Sequence, residues 1–235
     1  GLSGSSIGSN SFAIKTFDST KNKSSIIFAN DPHLTLQLPP RWLQMHISSD
    51  NFNVSGMTVP GIPFIISGRN DDIAFGITNV MNDDIDFFIE TIDSSGKYYF
   101  RNDSTQKNKI KYQLDSINIK NREALKYYRK FTDISEIISD EHLLNYPDEI
   151  FKKKHLKRPS YLRNNVITFK WSAKAKSDEI YALYQINKSK NLNDFQSALK
   201  SWGSPALNFT YSDKNANLGI IPAGLIPIRD INCSP

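Results

Sequence analysis

The chain has 235 residues, 39% of them hydrophobic, enough for one large domain or two small ones with a real core. A mean hydropathy of −0.44 and the lack of any long apolar run exclude a membrane-spanning helix. A net charge of +5 raises the question of anionic partners. The positive charge, however, gathers at Lys21-Asn22-Lys23, at Lys107 to Lys111 and at Lys152 to Arg158. Such runs read as solvated faces, and no helix-turn-helix, zinc-ligand or RNA-recognition signature accompanies them, so nucleic acid is not an expected partner. The one cysteine, Cys233, cannot form an internal disulfide and stands beside no Cys or His ligand cluster.

Taken in chain order, Gly1 to Gly8 is Gly/Ser-rich and reads as a flexible linker. It lacks the basic start and apolar core of a signal peptide. From Ser9 to Glu90 the chain reads mainly as strands. Phe12-Ala13-Ile14 is a short apolar piece, Lys21 to Ser24 a turn, and Ser25 to Ala29 a buried strand. Trp42 to Ile47 and Phe52 to Met57 alternate in part, and Phe64 to Gly68, Asp71 to Thr78 and Ile85 to Glu90 follow as further strands. The stretch from Asp93 to Leu162 is more polar and reads as an insertion. It holds strands at Lys97 to Phe100, Ser116 to Lys120 and Leu125 to Phe131, while Asp140 to Leu156 is open between short helix and loop. Val166 to Trp171 is a strand and Asp178 to Asn187 a helix. A second helix, Leu192 to Trp202, places Leu192, Phe195, Leu199 and Trp202 on one face before a stop at Gly203. Asn208 to Ser212 and Leu218 to Ile221 form a hairpin around Asp213 to Asn217.

Five segments carry chemistry. They are Gly8-Ser9-Asn10, Asn30-Asp31-Pro32-His33-Leu34, Gly56-Met57-Thr58-Val59-Pro60-Gly61, Gly76-Ile77-Thr78-Asn79 and Asn208-Phe209-Thr210-Tyr211. Each alone is weak, since Gly-Ser-Asn is common in loops and Asn208 would pass for an ordinary strand-edge residue. Together they resemble the penicillin acylase family of N-terminal-nucleophile amidohydrolases. The resemblance covers Gly8 to Glu90 and about Val166 to Arg229. It is thin between, where Thr132 to Ile138 stands in place of the family's His-Gly-Pro step. It implies an α+β fold, a partial α/β/β/α sandwich of mainly antiparallel strands filling residues 9 to 235.

The resemblance also implies roles. Ser9 becomes the first residue of a catalytic subunit when the precursor cuts itself between Gly8 and Ser9. A serine hydroxyl needs a base, and a free α-amine, with a reference pKa near 8, can supply it. The same hydroxyl makes the cut by attacking the Gly8 carbonyl, and Gly8 imposes no side-chain restriction there. His33 falls beside the nucleophile as an orienting or proton-relay residue, where other members carry Gln. The oxyanion donors map onto the Asn79 backbone N–H and the Asn208 side-chain amide, and Arg229 lies near the active site. Pro32, Leu34, Ile66 and Ser67 map onto the acyl pocket. Leu34 and Ser67 stand where some penicillin G acylases carry aromatics, which points away from a phenylacetyl group. Asp83, Asp86 and the Ile85 carbonyl map onto a structural calcium site whose other ligands come from elsewhere; on residues alone this is an acidic turn. No cofactor is implied for catalysis. His46, His142 and His155 match nothing.

The function expected is hydrolysis of an N-acyl amide, a β-lactam or related compound, with an N-acyl homoserine lactone as the alternative substrate. A non-catalytic scaffold of the same fold and a basic anion-binding module are the competing readings. The family's catalytic subunit is longer, and a separate α-subunit completes its pocket in the periplasm or outside the cell. This chain is therefore expected to be an inactive fragment that keeps its Gly8–Ser9 bond.

Overall fold

The computed structural model describes residues 8–34, 37–50, 52–100, 106–139 and 165–229. The expected linker before Gly8, the segment from Asp140 to Leu156, His142, His155, the basic run to Arg158 and Cys233 lie outside them. The strands are β1 (Ser9–Asp18), β2 (Lys23–Pro32), β3 (Leu43–Ser49), β4 (Phe52–Thr58), β5 (Ser67–Asn70), β6 (Ile73–Asn79) and β7 (Ile85–Ile92). There follow β8 (Tyr98–Phe100), β9 (Lys107–Lys109), β10 (Lys111–Ile117), β11 (Leu125–Phe131), β12 (Asn165–Trp171), β13 (Leu207–Asp213) and β14 (Leu218–Ala223). Two α-helices are described, α1 (Glu179–Lys188) and α2 (Leu192–Leu199). Every strand pairing among the described residues is antiparallel, as short connections favour. The chain divides into two compact units, one of residues 1–84 and 172–235 and one of Ile85–Trp171.

The first unit holds a six-stranded sheet in the order β14-β13-β6-β5-β4-β3 and the separate hairpin β1-β2. Alternation decides which residues face the helices. Ile73 and Phe75 of β6 and Phe209 and Tyr211 of β13 join Ala182, Leu183, Ile186, Phe195 and Leu199 of the helices in one core. Phe195 is its centre, with ring centroids 5.0 Å from Tyr211, 6.2 Å from Phe209 and 6.3 Å from Phe75. Burying a side chain of this size contributes about 1.5–3 kcal/mol. Both helices start on capping side chains: Asp178 accepts from the Tyr181 N–H and Asn191 from the Asp194 N–H. The second helix ends at Leu199, not Trp202. The N–H groups of Lys200, Ser201 and Trp202 turn back to Ser197, Ala198 and Leu199, and this tight turn still delivers Trp202 to the core.

The hairpin lies on the opposite face of this sheet. Phe75 points to the helices, so the next position, Gly76, points away from them, and there it meets Asn30 of β2. Strand β1 packs over β6, β13 and β14. Among the described residues only one face of the hairpin is covered, which corrects the expectation of a buried strand from Ser25 to Ala29. Ile27 is 54% exposed, opposite Ile14 at 50%. An apolar run signals a strand but not how many of its faces are covered.

A second correction concerns Phe64 to Gly68, where the strand begins only at Ser67. The backbone before it is held otherwise. Asn187, at the end of α1, accepts from the Ile65 N–H and donates to the Ile65 carbonyl, 2.8 Å each, and Ile66 donates to Met57 at 2.9 Å.

The second unit contains the sheet β12-β7-β8-β9 and the hairpin β10-β11. It is wider than the polar stretch 93–162, because β7 and β12 pair and bracket it. Its small core comprises Tyr99, Ile110, Ile137 and Val166. Strand β10 ends at Ile117, so the strand expected over Ser116 to Lys120 is mostly turn, closed by Asn121 at φ 61° and by an Arg122 N–H to Ile119 bond of 3.1 Å. The basic run from Lys107 includes a strand, β9, whose partner is β8.

Two consequences follow for stability. Asn187→Ala would leave the fully buried Ile65 backbone without either partner, so a loss of about 2–4 kcal/mol is expected in urea denaturation. Asp213 closes the β13-β14 turn, accepting from Tyr211, Asn215 and Asn217. Burial pushes its carboxyl pKa up, but these hydrogen bonds outweigh burial and hold it below the usual value. A depressed folded pKa gives stability that is full above the unfolded value of about 3.9 and is lost as pH falls through the folded value. Melting temperature should therefore drop on acidification below about pH 4, and Asp213→Asn should flatten part of that drop.

Candidate active site

Ser9 sits at the open end of the β1-β2 hairpin, in register with Pro32, so His33 emerges beside it. The Ser9 hydroxyl donates to the Gly8 carbonyl at 2.8 Å, and the His33 backbone N–H donates to the same oxygen at 3.2 Å. The His33 ring turns back along the hairpin. Its Nε2 is 2.9 Å from the Asp31 carboxylate and 3.3 Å from the Asn10 amide nitrogen. With its proton on Nε2 the ring donates to Asp31, and with Nε2 unprotonated it accepts from the Asn10 amide.

The expected oxyanion donors come from the six-stranded sheet. Asn79 ends β6, and its side chain accepts from the Met81 N–H at 2.8 Å, forming a local turn. Asn208 lies one strand over, in register with Thr78, and its Nδ2 is 3.4 Å from both the Thr78 hydroxyl and the Asn79 carbonyl. The two residues are thus neighbours at one end of the sheet.

The hairpin and the sheet meet through Asn30, a residue that sequence reading placed in a motif without giving it a role. Its Nδ2 donates to the Asn10 carbonyl at 3.1 Å and to the Ile77 carbonyl at 2.8 Å. Its Oδ1 accepts from the Ile77 N–H at 3.2 Å and from the Ser67 hydroxyl at 2.7 Å. Asn10 adjoins Ser9, and Ile77 lies two residues before Asn79. One carboxamide therefore brings the Ser9 end of β1 to the Asn79 end of β6. Gly76 makes room for it: a Cβ there would stand 2.7 Å from the Asn30 Cβ. The one signal in the sequence was glycine inside a strand, which marks a close approach without naming the partner.

The expected pocket residues divide. Pro32 is half-buried at the end of β2 and Leu34 is exposed just beyond it. Ile66 packs against the main core. Ser67 is buried and its hydroxyl is committed to Asn30, so it supports the site from behind. A cleft of about 610 Å³ opens elsewhere, at the opposite end of β6, and is polar, lined by residues such as Asp50, Asn53, Asp71, Lys188 and Lys190. Arg229 reaches the acidic segment, its Nη2 lying 3.1 Å from the Asp83 carbonyl and 3.3 Å from the Asp83 carboxylate. Ile85 and Asp86 open β7. Among the described residues no group of three or more His, Cys, Asp or Glu is placed to hold a metal ion. Two carboxylates and one carbonyl fall short of the six to eight oxygens calcium takes.

The sequence matches the Penicillin amidase family over residues 3–234, and the chain belongs to that family. It is 24% identical over 227 residues to the acyl-homoserine lactone acylase QuiP of Pseudomonas aeruginosa, covering 94% of this chain and 25% of that protein. It is also 24% identical over 237 residues to the penicillin G acylase of Escherichia coli, covering 100% of this chain and 25% of that one. The chain thus spans about a quarter of the length of these relatives. Among solved structures, a thermostable penicillin G acylase from Alcaligenes faecalis superimposes with a TM-score of 0.63 at 18% identity, over 84% of this chain and 32% of the other. That likeness is one of fold. No helix among the described residues is long and apolar enough to cross a membrane.

Arg229 offers a direct check on its contact with Asp83. Asp83 is half exposed, so solvent screens the ion pair. Arg229→Ala is expected to cost about 1 kcal/mol or less in urea denaturation.

Proposed function

We propose that this chain carries the nucleophile of an amide hydrolase that removes the acyl group from an N-acyl compound. The supporting observation is the Ser9 hydroxyl 2.8 Å from the Gly8 carbonyl oxygen, at the sheet end where Asn79 and Asn208 adjoin. The Ser9 Oγ attacks the Gly8 carbonyl carbon, the Gly8–Ser9 C–N bond breaks as an ester forms, and water hydrolyses that ester. Gly8 leaves with a carboxylate and Ser9 gains a free α-amine. In turnover this amine takes the hydroxyl proton while Oγ attacks the substrate's acyl carbon. The Asn79 N–H and the Asn208 amide donate to the oxyanion, each donor being worth about 10²–10³ in rate. The proton passes to the departing amine, and water releases the acyl group from Ser9. His33 orients the amine, and Arg229 supports the site electrostatically.

The substrate class is an N-acyl amide, either an N-acyl β-lactam or an N-acyl homoserine lactone. Family membership and the names of the relatives support this. Leu34 and Ser67, which stand where some penicillin G acylases carry aromatics, favour an aliphatic acyl chain over a phenylacetyl group. An α-subunit, further β-subunit segments and a periplasmic or extracellular setting belong to the same proposal. So does a complete α/β/β/α sandwich, with a second helical layer over the exposed face of β1 and β2. A calcium ion held by Asp83, Asp86 and the Ile85 carbonyl, with ligands from other segments, would be structural and take no part in the steps above.

A scaffold that kept only the fold would leave the Gly8–Ser9 bond intact and hydrolyse nothing. N-terminal sequencing of the natural polypeptide that carries this chain, with a panel of acyl-lactone and acyl-lactam substrates, separates the two. Ser9→Ala should give an uncut product without hydrolase activity, while Ser11→Ala should be cut normally. Splitting at Gly8 in the Ser9→Ala protein would overturn the proposal.

A further inference from the structure

The groups assigned to catalysis come from two different sheets. Ser9 belongs to the β1-β2 hairpin, whereas Asn79 and Asn208 belong to the six-stranded sheet. Their chemistry requires the two layers to hold one register, because misplacement of a reacting atom by about 1 Å can cost about 10²-fold in rate. The pairing of β5 with β6 runs through Gly68 with Phe75 and Arg69 with Ala74. At Ile77 the place of that neighbour is taken by a side chain. The Asn30 carboxamide bonds the Ile77 N–H and C=O together, as a neighbouring peptide would, and still has one N–H for the Asn10 carbonyl and one lone pair for Ser67. All four bonding positions of the amide are filled.

We infer that Asn30 is the positioning residue of this site, fixing the Ser9 end of β1 against the Asn79 end of β6, and that Gly76 is small in order to admit it. The inference rests on the reading of Ser9 as the nucleophile. Comparison with Asn187 shows what is particular to Asn30. Asn187 bonds the Ile65 backbone in the same two-point manner, but it joins a helix end to a loop in the helix-side core. Asn30 instead joins the strand of the nucleophile to the strand of an oxyanion donor. Aspartate at position 30 would keep the acceptors for Ile77 and Ser67 but would turn a carboxylate oxygen toward the Asn10 and Ile77 carbonyls. Alanine at position 76 would push into the Asn30 Cβ and Cγ, at 2.7 and 2.8 Å.

The test measures Gly8–Ser9 cleavage by intact mass, then kcat and KM of the cleaved enzyme, in the natural polypeptide carrying this chain. The variants are Asn30→Ala, Asn30→Asp, Gly76→Ala, the Asn30→Ala/Gly76→Ala double and Ser9→Ala, each with its melting curve. Asn30→Ala and Asn30→Asp should slow cleavage by about ten- to a hundredfold and lower kcat with KM unchanged. Gly76→Ala should act alike, and the double variant should be no slower than the worse single. If Asn30→Ala melts below the assay temperature, Asn30→Asp decides the matter in its place. Folded Asn30 variants that cleave and turn over at the parent rate, or single effects that multiply in the double, would overturn the role of Asn30 while Ser9→Ala stays uncut. A Ser9→Ala protein that still splits at Gly8 would overturn the nucleophile itself, and the positioning role with it.

Discussion

The first unit depends on a polar junction at one side chain. On the helix side the six-stranded sheet is held by packing around Phe195, which is strong but tolerant of small shifts. On the other side lies a two-stranded hairpin, and a two-stranded hairpin is marginal by itself. What fixes its position at the Ser9 end is directional. The carboxamide of Asn30 takes two backbone groups of Ile77, one of Asn10 and the hydroxyl of Ser67. Hydrogen bonds of this kind contribute only about 1 kcal/mol each on balance, yet leaving such groups unmet costs more. The junction is therefore modest as a source of stability and demanding as a source of geometry.

The same device recurs. Asn187 satisfies Ile65 where the chain is not in the sheet. Asn70 donates to the carbonyls of Asn187 and Ser189 and accepts from the N–H groups of Asp72 and Ile73. Three asparagines thus act as detached peptide groups, filling places where strand or helix pairing stops. An amide side chain suits this use because it carries its donor and its acceptor on separate atoms, as a peptide group does, whereas an ionised carboxylate has no donor and a hydroxyl offers both from a single atom. The division of labour is plain: apolar contacts hold the helices to the sheet, and asparagines bond the backbone where strand or helix pairing stops.

Family membership and fold likeness sit beside low identity. The Gly8-Ser9-Asn10 step, the Pro32-His33 corner and the β6-β13 pair form one end of the first unit. Among the described residues the second unit has a small core, and its hairpin β10-β11 carries Leu114 and Tyr128 as a directly opposed, exposed pair.

The sequence by itself determined several strands of the first unit, because alternation is local: Phe52 to Met57, Asn208 to Ser212 and Leu218 to Ile221 were each legible within a residue or two. It determined both helices, through apolar spacing such as that of Leu192, Phe195 and Leu199. It also placed Asn79 and Asn208 in segments that pair as β6 and β13, since order and alternation survive without knowledge of packing. Only the tertiary structure decided that β2 is covered on one face, that the strand after Pro63 waits until Ser67, and that Asn30 joins the two layers. These depend on partners far along the chain: Asn30 and Ile77 are 47 residues apart and Asn187 and Ile65 are 122 apart. A hydrogen bond over such a distance leaves no period and no propensity in the sequence. It exists only once the apolar core has brought the two backbones within about 3 Å of a side chain.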